Sequence, residues 1–246
     1  MQPNQLVSNG VVYAPGTVPL RQRVPAFVAG LDLGQSADYS ALTILEHAGP
    51  GERSYLPEQH WNARHLQRWE LQTPYPAIVR DVLAMLGQPP LAGSDVTLAV
   101  DMTGVGRPVV DLFRVAARKP SAGWPGMTIV PTPGLAARLI PIQITGGNQV
   151  TRDGDIWNVP KRDLAGVVQV ALQSRRLKVA ADLPDAQVLV AELQNFRVKI
   201  SLAGHDSYGA GTGEEWRVGA HDDLVLAVAI ALWAAQRSRG ATLQAI

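Results

Sequence analysis

The sequence predicts a mixed α/β fold in which antiparallel strands come first and parallel strands follow. Three observations carry this. Phe27 to Leu45, FVAGLDLGQSADYSALTIL, is two apolar runs joined by a Gly, Ser and Asp cluster, the signal of a β-hairpin. Val96 to Asp101, VTLAVD, is a short apolar strand followed by the turn MTGVG and an amphipathic helix opened by Pro108, which is α/β grammar. Leu224 to Ala235 is an apolar stretch of helical length, wide enough to be buried against a sheet.

Taken in order, Met1 to Pro25 is rich in Pro, Gly, Gln and Asn, and residues 1–26 read as an arm or linker ahead of one domain over 27–246. After the hairpin, Arg53 to His60 reads as a third strand, placed at a sheet edge because Pro57 lacks a ladder donor. Thr73 is in place to cap a helix that contains Pro74 and Pro76 in its first turn, carries Ile78, Val79, Val82, Leu83 and Leu86 on one stripe, and stops at Gly87. The helix after Asp101 is expected to run to Arg118, with Val109, Leu112, Phe113 and Ala116 inward. Thr128 to Val130 reads as a strand, and Ile140 to Ile144 as a further sheet strand or a loop-side ribbon. Pro160 and Pro184 each open a helix, the second ending near Asn195. Strands are expected at Arg197 to Ser201 and Glu215 to Val218, flanking a flexible Gly-rich loop from Ala203 to Gly213.

Composition bounds the function. The 246 residues carry a formal net charge of +1, so a polyanion contact needs a local basic patch. There is no Cys, which removes disulfides, thiolate metal sites and a Cys nucleophile, and suits a reducing interior. The apolar stretch at Leu224 is shorter than the roughly 20 residues a membrane helix needs, and the N-terminus lacks the pattern of a signal peptide. A soluble, intracellular protein is expected.

Chemistry concentrates in the acids. Asp32 and Asp101 each end an apolar strand, where a buried strand has no structural need for a carboxylate. If the two strands lie side by side and parallel, both acids reach one sheet edge. Asp222 and Asp223 stand at a helix start, where one Asp suffices as cap and the other is left over; Asp223 is the favoured site residue of the pair. Carboxylates gathered without nearby cations repel, and a divalent metal resolves the repulsion. Oxygen donors suit Mg²⁺ or Mn²⁺, and a pair of such ions serves phosphodiester hydrolysis. Each acid also has a plain reading: a strand-end Asp forms turns and a helix-start Asp caps.

Other candidates are weaker. Asp38 offers a contact behind the metals, although a local turn bond is the favoured reading, and His221 stands beside the Asp pair with no further signal. Lys161, Arg162, Lys199 and Arg217 are candidate phosphate contacts, although a lone basic residue is more often a solvated surface charge. The Trp residues read as core or interface anchors.

The order LDLGxxxDYSALTIL, LAVDMTGVGRPVVDLF, VPKRDL and HDDLVLAVAIALW resembles the nuclease domain of the large terminase subunit of tailed bacteriophages, over roughly Phe27 to Ala235. The resemblance implies an RNase H-like fold with Asp32, Asp101 and one or both of Asp222 and Asp223 as metal ligands. It implies Mg²⁺- or Mn²⁺-dependent cutting of concatemeric double-stranded DNA during genome packaging, in the cytoplasm of an infected or lysogenic host. The implied partners are the terminase ATPase, the small terminase and the portal. The sequence has no GxxxxGK[ST] loop, so the chain is expected to be a nuclease half, excised or separately encoded, or a prophage relic. Two other readings stand beside this one. An actin-like or sugar-kinase-like nucleotide-binding protein also has an Asp-Leu-Gly hairpin but needs a duplicated one, and a non-catalytic docking module would keep the fold without cutting.

Overall fold

The computed structural model describes residues 6–8, 11–13, 26–34, 38–48, 60–104, 107–117, 137–206 and 222–238. Strands β1 (Leu6–Ser8) and β2 (Val11–Tyr13) pair antiparallel as a small separate sheet. The main sheet begins with β3 (Ala26–Asp32), β4 (Ala41–Ala48) and β5 (His60–Arg68), an antiparallel meander. Helix α1 (Tyr75–Leu86) leads to β6 (Asp95–Asp101), α2 (Arg107–Ala117) and β7 (Arg138–Thr145). A short hairpin of β8 (Thr151–Asp153) and β9 (Ile156–Pro160) runs into α3 (Lys161–Gln173), and β10 (Leu177–Val179), α4 (Ala186–Asp206) and α5 (Asp223–Ser238) complete the order.

The strand order is β10-β5-β4-β3-β6-β7-β9-β8. Strands β3, β6, β7 and β9 are mutually parallel, so their C-terminal ends share one edge. Antiparallel strands first, then parallel strands, with helices on both faces: the topology is RNase H-like. Among the described residues the sheet holds one such meander and no duplicate of it.

Period-two alternation divides β3 between two cores. Phe27, Ala29 and Leu31 face α1 and α2, together with Val96, Leu98 and Val100 of β6. Val28 and Ala99 face the other side, where α3, α4 and α5 pack. Helix α5 is apolar all round because it is enclosed all round, and every residue from Leu224 to Ala235 is buried. Its large side chains, Leu224, Ile230 and Trp233 among them, each contribute about 1.5–3 kcal/mol of burial. The helix reaches the sheet because Gly30 has no side chain: a Cβ there would lie 2.1 Å from the Ala227 carbonyl oxygen and 2.7 Å from the Ala231 nitrogen.

Several expectations are corrected. The third strand is β5, starting at His60 where the expected strand ended, and residues 51–59, with Pro57, lie outside the described residues. It is not an edge strand, because β10 pairs with it in parallel from Leu177 to Val179. Thr73 does not cap α1; its hydroxyl donates to the Glu70 carbonyl (2.7 Å), and Pro74 is the N-cap. Pro74 and Pro76 carry no N–H, so fewer orphan donors remain to be capped. Ile140 to Ile144 joins the sheet within β7. Arg197 to Ser201 is not a strand but part of α4, which continues to Asp206. The β-branched run there suits a strand, yet Leu189, Leu193, Phe196 and Ile200 keep helical spacing. Lys199 accordingly follows no strand, and Ala203 to Asp206 belongs to the same helix. The strands expected at Thr128 to Val130 and Glu215 to Val218, and the rest of the Gly-rich loop, lie outside the described residues. Among those residues no helix is long and apolar enough to cross a membrane.

Candidate active site

The register brings the acids of β3 and β6 together. Leu31 pairs with Val100, so Asp32 and Asp101 follow side by side on adjacent parallel strands, which are about 4.8 Å apart in any sheet. Asp32 lies two residues beyond Gly30, and Asp101 two beyond Ala99, its register partner. Alternation therefore turns both carboxylates to the face that α5 covers. Both are buried, at 5% and 2% exposure.

Loops behind each acid are pinned. After Asp32, the Gly34 N–H donates to the Ser40 hydroxyl (3.1 Å), and the Tyr75 hydroxyl of α1 donates to the Gly34 carbonyl (2.9 Å). After Asp101, the Thr103 N–H donates to Asp101 Oδ1 (2.8 Å), while the Thr103 hydroxyl accepts the Ile144 N–H (2.7 Å). Gly104 then takes a φ of 80°, a left-handed turn that Gly adopts without steric cost. Asp101 is thus both a turn acceptor and a candidate ligand.

Asp223 is the first residue of α5 and 5% exposed, with Asp222 half-buried just before it. A row across the sheet links this helix start to the strand that carries Asp32. Arg68 pairs with Ala41, and Ala41 with Asp32. Arg68 Nη1 lies 3.4 Å from Glu192 Oε1 of α4, and Glu192 Oε2 accepts the N–H groups of Leu224 (2.9 Å) and Val225 (3.1 Å). The first turn of α5 and its Asp223 therefore sit over the row that contains Asp32.

Glu192 was missed in the sequence, although an acid flanked by Leu189 and Phe196 at helical spacing is an inward position. Its carboxyl is raised from 4.5 to about 7, first by burial and then by the charge of Asp223, against the hydrogen bonds from Val225 and Leu224 and the charge of Arg68. Below the lower value Glu192 is protonated in both folded and unfolded chains. Between the two values only the unfolded chain has released the proton, so stability falls as pH rises from 4.5 to about 7 and levels off above it. The difference in unfolding free energy between the wild type and Glu192→Gln is expected to drop on the order of 3 kcal/mol across that window. Urea titrations of both proteins at about pH 5 and about pH 8 measure it, and a pH-independent difference contradicts the assignment.

The other candidates are scattered. Asp38 is half-buried in the bend before β4. Lys161 and Arg162 open α3 directly after β9 and so lie beyond the same edge as Asp32 and Asp101. Arg162 is engaged there by the Asn148 side chain (3.0 Å) and the Asn148 carbonyl. The side chain of Lys199, and both His221 and Arg217, lie outside the described residues. Trp69 and Trp233 are core residues, as expected of anchors.

Among the described residues, no group of three or more His, Asp or Glu forms an assembled metal-binding cluster. The donor set is nevertheless right in kind for a hard divalent cation: buried carboxylate oxygens of Asp32, Asp101 and Asp223, with no sulfur.

No protein-family model matches the chain, and no curated protein matches it. Among solved structures it is similar to the human cytomegalovirus terminase nuclease domain, Mn-soaked and inhibitor-bound, at 14% identity over 87% of this chain and 85% of that one, with a TM-score of 0.46. The Mn-soaked form of that domain gives 13% identity over 84% and 81%, with a TM-score of 0.46. The Thermus thermophilus RuvC structure gives 14% identity over 88% and 97%, with a TM-score of 0.36. These are weak likenesses of overall chain path, and the functional reading rests on the chain's own carboxylates.

Proposed function

We propose that this chain is a Mg²⁺- or Mn²⁺-dependent endonuclease acting on double-stranded DNA, and more narrowly the nuclease half of a phage large terminase. The observation that carries the reading is the pair Asp32 and Asp101, buried at the ends of adjacent parallel strands whose inner face is covered by α5. Burying two carboxylates so close costs stability, which a bound divalent cation would offset. Asp32, Asp101 and Asp223 would hold the metal, with Asp222 as the alternative third ligand. Bound there, divalent ions supply a water activated at neutral pH and charge neutralisation at the phosphate.

The chain's own groups do the rest. The carboxylates, kept in a low-dielectric site, orient toward one edge. Thr103 and Tyr75 hold the turns behind them. Lys161 and Arg162 stand at that edge as contacts for backbone phosphates, with Lys199, Arg217, His221 and Asp38 as further candidates. The order of the four sequence motifs supports the terminase reading, in which the ATPase, the small terminase and the portal are partners.

Plasmid DNA incubated with the protein is expected to be nicked and linearised in Mn²⁺ or Mg²⁺ and left intact after EDTA. Calorimetric titration with Mn²⁺ is expected to show binding. Absence of both sinks the reading; cutting of a branched DNA but not of a plain duplex keeps the nuclease and replaces the substrate.

A further inference from the structure

We infer that Glu192, clamped by Arg68, is a positioning residue that sets the place of Asp223 relative to Asp32 and Asp101. The inference deepens the nuclease reading and rests on it. Helix starts leave several N–H groups without partners inside the helix, and a local Ser, Thr, Asp or Asn ordinarily accepts them. In α5 a carboxylate from a different helix does so: Glu192 Oε2 accepts from both Leu224 (2.9 Å) and Val225 (3.1 Å), the two residues after Asp223. A local cap satisfies the donors but moves with its own helix. A cap supplied by α4 ties the start of α5 to a second element.

That second element is itself tied to the sheet. Arg68 ends β5, and its guanidinium reaches the other oxygen of Glu192 (3.4 Å). Its main-chain N–H donates to Asp185 Oδ2 (3.2 Å), in the turn immediately before α4. Its guanidinium also lies over the Tyr39 ring, 4.3 Å from the centroid, in the segment between β3 and β4. Arg68 is in register with Ala41, which is in register with Asp32. A continuous set of contacts thus runs from the row of Asp32 through Arg68 and Glu192 to the peptide N–H groups beside Asp223. Both oxygens of Glu192 are committed within this set, so it acts through Asp223 rather than on substrate. The residue is 4% exposed, a placement that packing alone would fill with an apolar side chain.

Four variants test this: Glu192→Ala, Glu192→Gln, Arg68→Met and, as a control, Leu189→Ala. Leu189 is fully buried one turn earlier on α4 and its side chain has no polar atom, so its truncation destabilises the helix packing without removing a hydrogen-bond partner of the cap. All are assayed for Mn²⁺-dependent cleavage below their unfolding temperatures, and for amide hydrogen exchange at Leu224 and Val225. Glu192→Ala is expected to lose about 10- to 100-fold in kcat with KM for DNA nearly unchanged, as for loss of a charged hydrogen-bond partner. Its Leu224 and Val225 amides exchange faster. Glu192→Gln, whose amide oxygen still accepts both N–H groups, recovers most of the rate, and Arg68→Met falls between. Leu189→Ala keeps its kcat.

A wild-type kcat and wild-type exchange in Glu192→Ala overturn the inference, as does an equal loss of kcat in Leu189→Ala. If Glu192→Ala does not fold, Glu192→Asp, one methylene too short to reach both N–H groups, carries the same comparison. If the wild type cuts no DNA, the nuclease reading falls on its own. Exchange then decides the hold on α5: faster at Leu224 and Val225 in Glu192→Ala than in Glu192→Gln supports it, and equal rates overturn it.

Discussion

Replacing Asp101 by Asn is expected to reduce Mn²⁺-dependent DNA cleavage at least about 1,000-fold, equivalent to roughly 4 kcal/mol of lost transition-state stabilisation. The same substitution is expected to leave stability unchanged or raise it by about 1 kcal/mol. The two effects separate because they arise from different properties of one side chain. Asn keeps an oxygen where Asp101 Oδ1 accepts the Thr103 N–H, so the turn after β6 survives. It loses the charge that a divalent cation requires and that a buried position, 2% exposed and beside Asp32, disfavours. Asp32→Asn is expected to behave likewise. Cleavage rates and urea midpoints on the same preparations check both halves. A variant that loses stability but keeps its rate would reduce Asp101 to a turn residue.

The second large effect is at Gly30. Gly30→Ala is expected to destabilise the chain by about 3 kcal/mol or more, and Gly30→Val to prevent folding, because the obstructing atoms are main chain and cannot rotate away. A Cβ at 2.1 Å from the Ala227 oxygen and 2.9 Å from the Ala231 Cβ forces α5 off the sheet. Asp223 lies one turn before Ala227 and Asp32 two residues after Gly30, so the same contact sets the separation of the acids. Any Gly30→Ala protein that does fold is expected to have weakened Mn²⁺ binding. Unfolding midpoints and Mn²⁺ calorimetry test this, and a wild-type midpoint would refute the close-packing account.

Glu192 and Gly30 share a property that explains why sequence reading passed over them. Each is defined by what approaches it from far along the chain: Glu192 by Leu224 and Val225, Gly30 by Ala227 and Ala231. A Glu in a helix and a Gly in a strand are locally unremarkable, and nothing nearby in the sequence names their partners. β10 was missed for a related reason. Three residues carry too little periodicity to register, and the strand exists because β5 offers it a parallel partner. The β8–β9 hairpin did carry a local signal, the Asp153–Gly154 turn with Gly154 at a φ of 62°.

Local pattern by itself determined the hairpin around Asp32, the strand ending in Asp101, the stripe of α1 and the enclosed helix α5. In each, alternation or helical spacing of apolar residues is written into neighbouring positions, and burial follows from it. Tertiary structure decided the rest. It set β3 beside β6 in the register that aligns Asp32 with Asp101, extended α4 through Ser201, and covered β5 with β10. It also brought Glu192 over the row of Asp32 to hold the start of α5. The physical reason is range: periodicity reports which face of an element is apolar, whereas register and close approach depend on the partner that meets that face.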